Sequence, residues 1–139
     1  MSHIEISDAD KIKLNDSSSY NYHCLDNGRS VTSALDIAIV FSNYNLSINE
    51  SLMNGYLNRL AEKKFTGCIG GMRAPGGAFE LPILCQRVIK SYSPSIILAI
   101  GCIIKGDTKH YDFLSSTVTA SICNLSLTHD TPIINGILT

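Results

Sequence analysis

Apolar runs alternate with amphipathic stretches along most of this chain, starting near residue 35. Continuous apolar runs predict buried strands at residues 35–41, 96–104 and 131–139. Residues 67–72 predict a further strand, although the glycines in this segment weaken the pattern. Unbroken apolar runs are typical of parallel strands that are covered on both faces.

Helical periodicity fills the intervals between these runs. Ser47 and Glu50 form a capping-box pattern, which predicts the start of a first helix. Residues 79–82 predict the start of a second helix, with a proline in its first turn and an end at residues 93–94. A third helix is expected from about residue 110 to residue 127. The apolar positions expected to face the core are Ile48, Leu52, Tyr56, Leu57 and Leu60, then Leu81, Leu84, Cys85, Val88 and Tyr92, and finally Phe113, Leu114, Val118, Ile122 and Leu125.

This alternation predicts an α/β protein, a three-layer α/β/α sandwich with a central, mostly parallel four-stranded sheet. Residues 1–34 are polar and are predicted to form a weakly structured N-terminal arm, with the folded domain at residues 35–139. Ligands of such folds bind beyond the carboxyl ends of the strands. The loops 42–45, 74–80 and 105–110 are therefore expected to line one rim.

Composition narrows the possible functions. The chain has 139 residues, 45% of them hydrophobic and 17% charged, with a formal net charge of −1. This balance favours neither nucleic acid nor an anionic membrane as a partner, and no apolar run is long enough for a membrane span. Five cysteines without a Cys-x-x-Cys pair indicate thiols in a reducing, cytoplasmic compartment rather than a metal site.

The segment 101–113 carries the strongest chemical pattern. A strand end, a polar turn and a helix start follow one another, which places backbone N–H groups around an anion. We expect Gly106 to allow the bend and Thr108 to add a donor, while the lysines at 105 and 109 add positive charge. His110 follows, and histidine titrates near neutral pH. A phosphate pocket beside a proton carrier indicates chemistry on a small phosphorylated substrate.

Single residues in the other two loops allow more than one interpretation. Tyr44 could stack on a flat heterocycle or pack on the domain surface. Glu80 could accept hydrogen bonds from a polyol or stabilise the first turn of a helix. His110 could equally be a solvated surface histidine.

Four blocks taken together resemble one family. They are Asn43-Tyr-Asn45, Ala74-Pro-Gly-Gly-Ala-Phe-Glu-Leu-Pro82, Gly101-Cys-Ile-Ile-Lys-Gly-Asp-Thr-Lys-His-Tyr-Asp112 and Pro132-Ile-Ile-Asn-Gly-Ile-Leu-Thr139. Residues 35–139 resemble lumazine synthases (6,7-dimethyl-8-ribityllumazine synthases) of riboflavin biosynthesis, which have a flavodoxin-like fold. The resemblance implies a transferase that condenses 5-amino-6-(D-ribitylamino)uracil with 3,4-dihydroxy-2-butanone 4-phosphate. It implies no metal and no redox cofactor.

The resemblance also implies roles for particular residues. His110 matches the residue that transfers protons. The positions that match substrate contacts are Tyr44 for stacking on the pyrimidine, Ala78, Phe79 and Glu80 for the aminouracil and its ribityl chain, Cys102, Ile103 and Ile104 for the pyrimidine edge, Asp107 and Thr108 for the phosphate, and Asn135 for the pocket of an adjacent subunit. Relatives carry an aromatic residue at the position of Asn135. Pentamers, sometimes twelve of them in a 60-subunit shell, are the implied assembly.

Three departures from the family pattern stand out. Residues 76–77 are two glycines where one is usual, and Lys105 stands where arginine is common. The family continues for tens of residues beyond the strand that ends here, with a phosphate-binding arginine and two covering helices. We therefore expect weaker activity from these 139 residues and an exposed apolar face around Leu138.

Two other functions compete with the enzyme. A flavodoxin-like module could bind a flavin or a lumazine without turning it over. A shell subunit could serve in packaging alone. Both would use the same rim and the same fold.

Overall fold

The computed structural model describes residues 21–25 and 34–139. The strands are β1 (Asn21–Cys24), β2 (Ile37–Phe41), β3 (Cys68–Arg73), β4 (Ile96–Cys102) and β5 (Ile133–Leu138), and the helices are α1 (Leu46–Glu62), α2 (Leu81–Tyr92) and α3 (His110–His129). A short 3-10 helix, Ala78–Glu80, precedes α2 and is called the 78–80 turn below. None of the helices in this part of the chain is long and apolar enough to cross a membrane.

The sheet is parallel throughout, which confirms the predicted class, and its strand order is β1-β3-β2-β4-β5. The prediction of four strands is wrong, because β1 adds a fifth at one edge. Its residues pair with β3 from Asn21 opposite Cys68 to Cys24 opposite Gly71. An edge strand pairs with a neighbour on one side only, so its sequence needs no apolar run. The residues around β1 are mostly polar, and for this reason the sequence did not predict the strand.

Helices cover both faces of the sheet, as the predicted sandwich requires. Alternate residues of β2 point to opposite faces, so that Ala38 and Val40 contact one core cluster while Ile39 and Phe41 belong to the other. The first cluster contains the buried residues of α2 and α3, and the second contains Met53 and Leu57 of α1. The helices therefore form the two outer layers of the sandwich.

Three details of the helices differ from the prediction. On α1, Ile48 was expected to face the core but is 38% exposed. The capping box is wrong, because α1 begins at Leu46 and Ser47 lies inside its first turn. Asn45 precedes the helix in a left-handed conformation, with φ 57° and no side-chain cap bond. On α3, Val118 and Ile122 are buried as predicted, but Phe113 is 68% exposed. Helical spacing alone did not separate its position from the core-facing ones.

Two apolar side chains of β5 remain exposed. Ile134 and Leu138 are 42% and 48% exposed. They are opposite Leu98 and Cys102 of β4, on the face that α1 covers. The division of the chain into an arm at residues 1–34 and a domain at residues 35–139 stays a prediction, and residues 1–20 and 26–33 of that arm lie outside the described residues.

Candidate functional site at the carboxyl edge of the sheet

Three loops meet at the carboxyl edge of the sheet. They follow β2, β3 and β4, which are neighbours in the sheet. The loop after β2 is bonded to the loop after β3 and to the last residue of β4. The amide of Asn43 donates to the carbonyl oxygen of Gly76 at 2.8 Å, and the side-chain Nδ2 of Asn45 donates to the carbonyl oxygen of Cys102 at 2.9 Å. The rim predicted from the sequence is therefore a connected structure.

The Tyr44 ring lies against the glycine loop after β3. The ring is 66% exposed, and a Cβ atom added to Gly77 would lie 2.9 Å from its Cδ2 atom. Any larger residue at position 77 would push the ring away, because real Cβ atoms almost never approach so closely. The second glycine of residues 76–77, an oddity in the sequence, thus allows the close approach of an exposed aromatic face.

Glu80 closes the same loop. Its Oε2 atom accepts a hydrogen bond from the amide of Gly76 at 2.7 Å, and the residue is only partly exposed. The bond spans four residues and fixes the glycine segment next to Tyr44. The Glu80 carboxylate therefore already accepts a hydrogen bond from the main chain. A bound polyol would donate to a carboxylate that this bond holds in place.

The 78–80 turn is packed down on β4. Ala78 is 4% exposed, and a Cβ atom added to Gly101 would lie 3.5 Å from the Cβ of Ala78 and 3.2 Å from Cδ1 of Leu81. Phe79, between them in sequence, projects outward and is 69% exposed. The turn also contacts α3. The helix that begins with His110 is thereby held beside the loop that carries Glu80.

The polar turn after β4 leads directly into α3. His110 is the first residue of this 20-residue helix, and its amide lies 3.4 Å from Oγ1 of Thr108. Asp107, Thr108 and His110 are all exposed. The positive end of the helix dipole therefore points at an open turn that carries Lys105 and Lys109.

The expected need for glycine at position 106 is not supported. A Cβ atom added to Gly106 would meet no atom within 4 Å, and its φ lies outside the left-handed range. The bend is therefore accessible to other residues. Lys105 turns toward the helix, with its Nζ atom 5.9 Å from the centre of the Tyr111 ring.

The three residues expected at the pyrimidine edge differ in exposure. Cys102 is half-buried at the end of β4, and its carbonyl oxygen already accepts the bond from Asn45. Ile103 is 8% exposed, and its amide donates to the carbonyl oxygen of Leu138 at 2.9 Å. Ile104 is 64% exposed. Of these three side chains, Ile104 offers the open apolar surface at the rim.

Asn135 lies apart from the other candidates. It is opposite Ala99 in the sheet, three residues before Leu138, which is opposite Cys102. At about 3.3 Å per residue, this places it roughly 10 Å from the carboxyl edge. Its exposed side chain accepts a bond from the amide of Ile137 through Oδ1 at 3.2 Å. Within one subunit, it does not join the rim.

Asn45 and Asn49 were not among the site residues expected from the sequence. Asn45 joins two loops, and Asn49 is 0% exposed beneath the first of them. A signal for Asn49 was present, because it shares the spacing of four with the buried Met53 and Leu57. A polar residue on such a face requires hydrogen-bond partners, which the sequence does not identify.

The site offers little to a metal ion. Across residues 21–25 and 34–139, no three His, Cys, Asp or Glu side chains come together as a metal site would require. The groups present are an aromatic ring, amide dipoles, the carboxylates of Glu80 and Asp107, two lysine side chains and the imidazole of His110. Such groups are suited to orienting two organic substrates and moving protons between them.

Comparison with known proteins agrees with this arrangement. The profile of the 6,7-dimethyl-8-ribityllumazine synthase family matches residues 34–139. A 6,7-dimethyl-8-ribityllumazine synthase of Buchnera aphidicola is 39% identical over 108 residues, which cover 75% of this chain and 66% of the relative. One of Coxiella burnetii is 36% identical over 108 residues, covering 77% of this chain and 71% of the relative. This chain therefore spans about two thirds of the length of its relatives, and it belongs to the 6,7-dimethyl-8-ribityllumazine synthase family.

Proposed function

We propose that this protein catalyses the formation of 6,7-dimethyl-8-ribityllumazine, as a transferase of riboflavin biosynthesis. One observation carries the proposal: the Tyr44 ring lies against the glycine loop that Glu80 closes, and the 78–80 turn at the end of this loop contacts α3, the helix that begins with His110. An aromatic surface, a carboxylate and an anion-binding helix start suit a pyrimidine, a ribityl chain and a phosphate respectively. The substrates are 5-amino-6-(D-ribitylamino)uracil and 3,4-dihydroxy-2-butanone 4-phosphate.

The condensation requires little beyond orientation and proton transfer. The 5-amino group attacks the ketone and water leaves, which gives an imine. Loss of inorganic phosphate then leaves an enol, which tautomerises to a ketone. Attack of the ribityl-bearing nitrogen on this ketone, with loss of a second water, closes the ring. Each step moves protons between nitrogen, carbon and oxygen, and none changes the overall oxidation level through an external oxidant.

His110 is the proposed proton carrier. It is exposed at the first position of α3, two residues after Thr108, which together with Asp107 is proposed to bind the phosphate. A histidine there can protonate the departing oxygen and remove protons from carbon and nitrogen. The helix start favours the phosphate dianion by its dipole and free N–H groups.

Tyr44 and the 78–80 turn are proposed to hold the pyrimidine. The exposed ring offers a flat face for stacking, and its distance from Gly77 sets where that face lies. Ala78, Phe79 and Glu80 would border the ribityl chain, with the Cys102–Ile104 segment at the pyrimidine edge. The proposed role of Asn135 requires a second subunit, because it lies away from this rim in its own chain.

The decisive experiment compares His110→Ala with the unchanged protein. We expect the rate of product formation, followed by the absorbance and fluorescence of the lumazine, to fall by about 10²–10⁴-fold while the substrates still bind. His129→Ala, at the other end of α3, is the matched control and should retain the rate. A His110→Ala protein with an unchanged rate would contradict the assignment.

The same experiment separates the enzyme from a binding module. A module that only holds a lumazine or a flavin would yield no product in either protein, although the lumazine would bind to both. The family membership and the polar helix start favour the enzyme.

We also propose self-association into pentamers, and possibly 60-subunit shells, in the cytoplasm. Phe79, Phe113 and Leu127 are 69%, 68% and 77% exposed, which supports apolar contact with further copies. The free thiols of Cys85 and Cys123 are consistent with a reducing compartment. Sedimentation velocity on the purified chain tests the assembly, and a monomer at all concentrations would contradict it.

A further inference from the structure

Asn49 donates hydrogen bonds to two main-chain carbonyl groups of the rim loop after β2. Its side chain is 0% exposed, and its Nδ2 atom lies 2.8 Å from the carbonyl oxygen of Ser42 and 2.9 Å from that of Tyr44. Carbonyl oxygens only accept hydrogen bonds, so both contacts require the amide nitrogen in this orientation. Nδ2 also lies 2.9 Å from Oγ of Ser42, so the two hydrogens of the amide are shared among two backbone carbonyls and one hydroxyl of the same loop.

A second group holds the same loop from the opposite direction. The carbonyl oxygen of Gly76 accepts the amides of Asn43 and Tyr44 at 2.8 and 3.3 Å. The N–H of Tyr44 is thus bound by the glycine loop, and its C=O is bound by Asn49. The ring itself is 66% exposed, and it lies against Gly77 and above its own backbone. Its direction therefore depends on how firmly the backbone beneath it is held.

The oxygen of the same Asn49 amide is energetically unfavourable where it lies. Its Oδ1 atom is buried, and no donor in the described part of the chain reaches it. A buried acceptor without a partner is unfavourable, and an apolar side chain at this core-facing position would avoid the penalty. The donor end of the amide accounts for a polar residue here.

We propose that Asn49 is a positioning residue that fixes Tyr44 as the stacking surface for the pyrimidine ring. The inference rests on the proposed function, because it assumes that Tyr44 meets the ring. Asn49 itself touches no substrate. It acts through the carbonyl groups of Ser42 and Tyr44, and it leaves the phosphate site at the start of α3 unaffected.

Asn49→Asp provides the sharpest test, because it keeps the shape of the side chain and replaces the donor with an acceptor. A carboxylate oxygen would face two carbonyl oxygens, and the loop would have to move. Asn54→Asp, on the exposed side of the same helix, makes the same change in charge and is the matched control. Asn49→Ala removes the donor without adding charge, in case the aspartate variant does not fold.

The measurement uses two probes on the whole chain. We expect the dissociation constant of 6,7-dimethyl-8-ribityllumazine, read from its fluorescence, to rise roughly tenfold in the Asn49 variants, the loss of about one stacking interaction. The dissociation constant of inorganic phosphate should stay unchanged in the same proteins. A role in stability alone would alter both ligands or neither.

Amide hydrogen exchange gives an independent readout. Exchange at Asn43 and Tyr44 should accelerate in Asn49→Ala, while the amides of β4 keep their protection. Unchanged lumazine binding by a folded Asn49 variant, or unchanged exchange at Tyr44, overturns the positioning role. If the unaltered protein binds phosphate but no lumazine, the proposed function fails first, and the exchange result still tests the hold on the loop.

Discussion

At single positions of the rim, the neighbouring atoms decide which residue fits. Gly77 has an ordinary extended backbone, with φ −94° and ψ −167°, so its conformation does not require glycine. The neighbouring Tyr44 ring does require glycine at this position, because a Cβ atom on residue 77 would not fit beneath the ring. Gly55, in the exposed side of α1, has no atom within 4 Å of an added Cβ. The two glycines therefore predict opposite results of the same substitution.

Gly77→Ala should weaken binding of the lumazine ring. The added methyl group displaces the Tyr44 ring, and a stacking loss of this kind corresponds to a roughly tenfold higher dissociation constant. Titration with 6,7-dimethyl-8-ribityllumazine measures it. Gly55→Ala is the matched control. It should bind the lumazine normally, and its free energy of unfolding, measured by urea denaturation, should be higher by about 0.5–1 kcal/mol. Equal affinities in the two variants would show that the ring does not contact the ligand.

At the scale of elements, the helices are fixed by their contacts with the sheet. α2 buries Leu81, Leu84, Cys85 and Val88 as its periodicity predicted, and it begins after the 78–80 turn, with Pro82 in its first turn. Its C-terminus uses Ser93 in a left-handed conformation, with φ 45°. Burial in this interface raises the pKa of the Cys85 thiol to about 12.

This shift predicts how stability depends on alkaline pH. Below pH 9 the thiol is protonated in both the folded and the unfolded chain, so it adds no pH dependence. Above pH 9 the unfolded chain releases the proton while the folded chain retains it until about pH 12. The free energy of unfolding should therefore fall through this window, by about 1.4 kcal/mol per pH unit from this group.

Urea unfolding under reducing conditions from pH 8 to pH 10.5 measures this dependence. Cys85→Ala should remove that part of the slope, whereas Cys123→Ala, at an exposed position on α3, should retain it. Burial also raises the pKa of Tyr56, and this adds a fall at higher pH that all three proteins share. Parallel curves for the two variants would mean that Cys85 is solvated.

At the scale of the whole molecule, β1 extends the sheet beyond the part that the periodicity predicted. Leu25, which follows β1, is 2% exposed, and its Cδ1 lies 2.8 Å from the position of a Cβ on Gly70. The amide of Leu25 also donates to the carbonyl oxygen of Gly71 at 2.8 Å. A glycine in β3 thus makes room for a side chain from the N-terminal part of the chain.

Leu25→Ala should therefore lower the free energy of unfolding by about 2–5 kcal/mol, the usual range for a buried leucine. Lys90→Ala, at an exposed position on α2, is the control and should stay within about 0.5 kcal/mol of the unaltered protein. Urea denaturation followed by circular dichroism distinguishes them. A negligible effect of Leu25→Ala would mean that β1 detaches in solution.

The sequence by itself determined the α/β class, the parallel sheet and the rim on which the candidate residues lie. Apolar runs and helical spacing depend on local periodicity, which each segment carries in its own letters. Parallel strands also place their carboxyl ends at one edge in any such fold, so the sequence predicted that loops 42–45, 74–80 and 105–110 line one rim. The blocks around Glu80 and His110 were specific enough to identify the family.

The tertiary structure alone decided the rest. The pairing of β1 depends on backbone groups that every residue possesses, so its polar letters gave no signal. The amide of Asn49 could have met water, a ligand or the loop above it, and only the fold placed two carbonyl oxygens within its reach. In the sequence, Gly77 is only one glycine more than the family pattern, whereas the structure shows that the Tyr44 ring lies against it. Contacts between distant segments depend on three-dimensional proximity, which local sequence patterns do not encode.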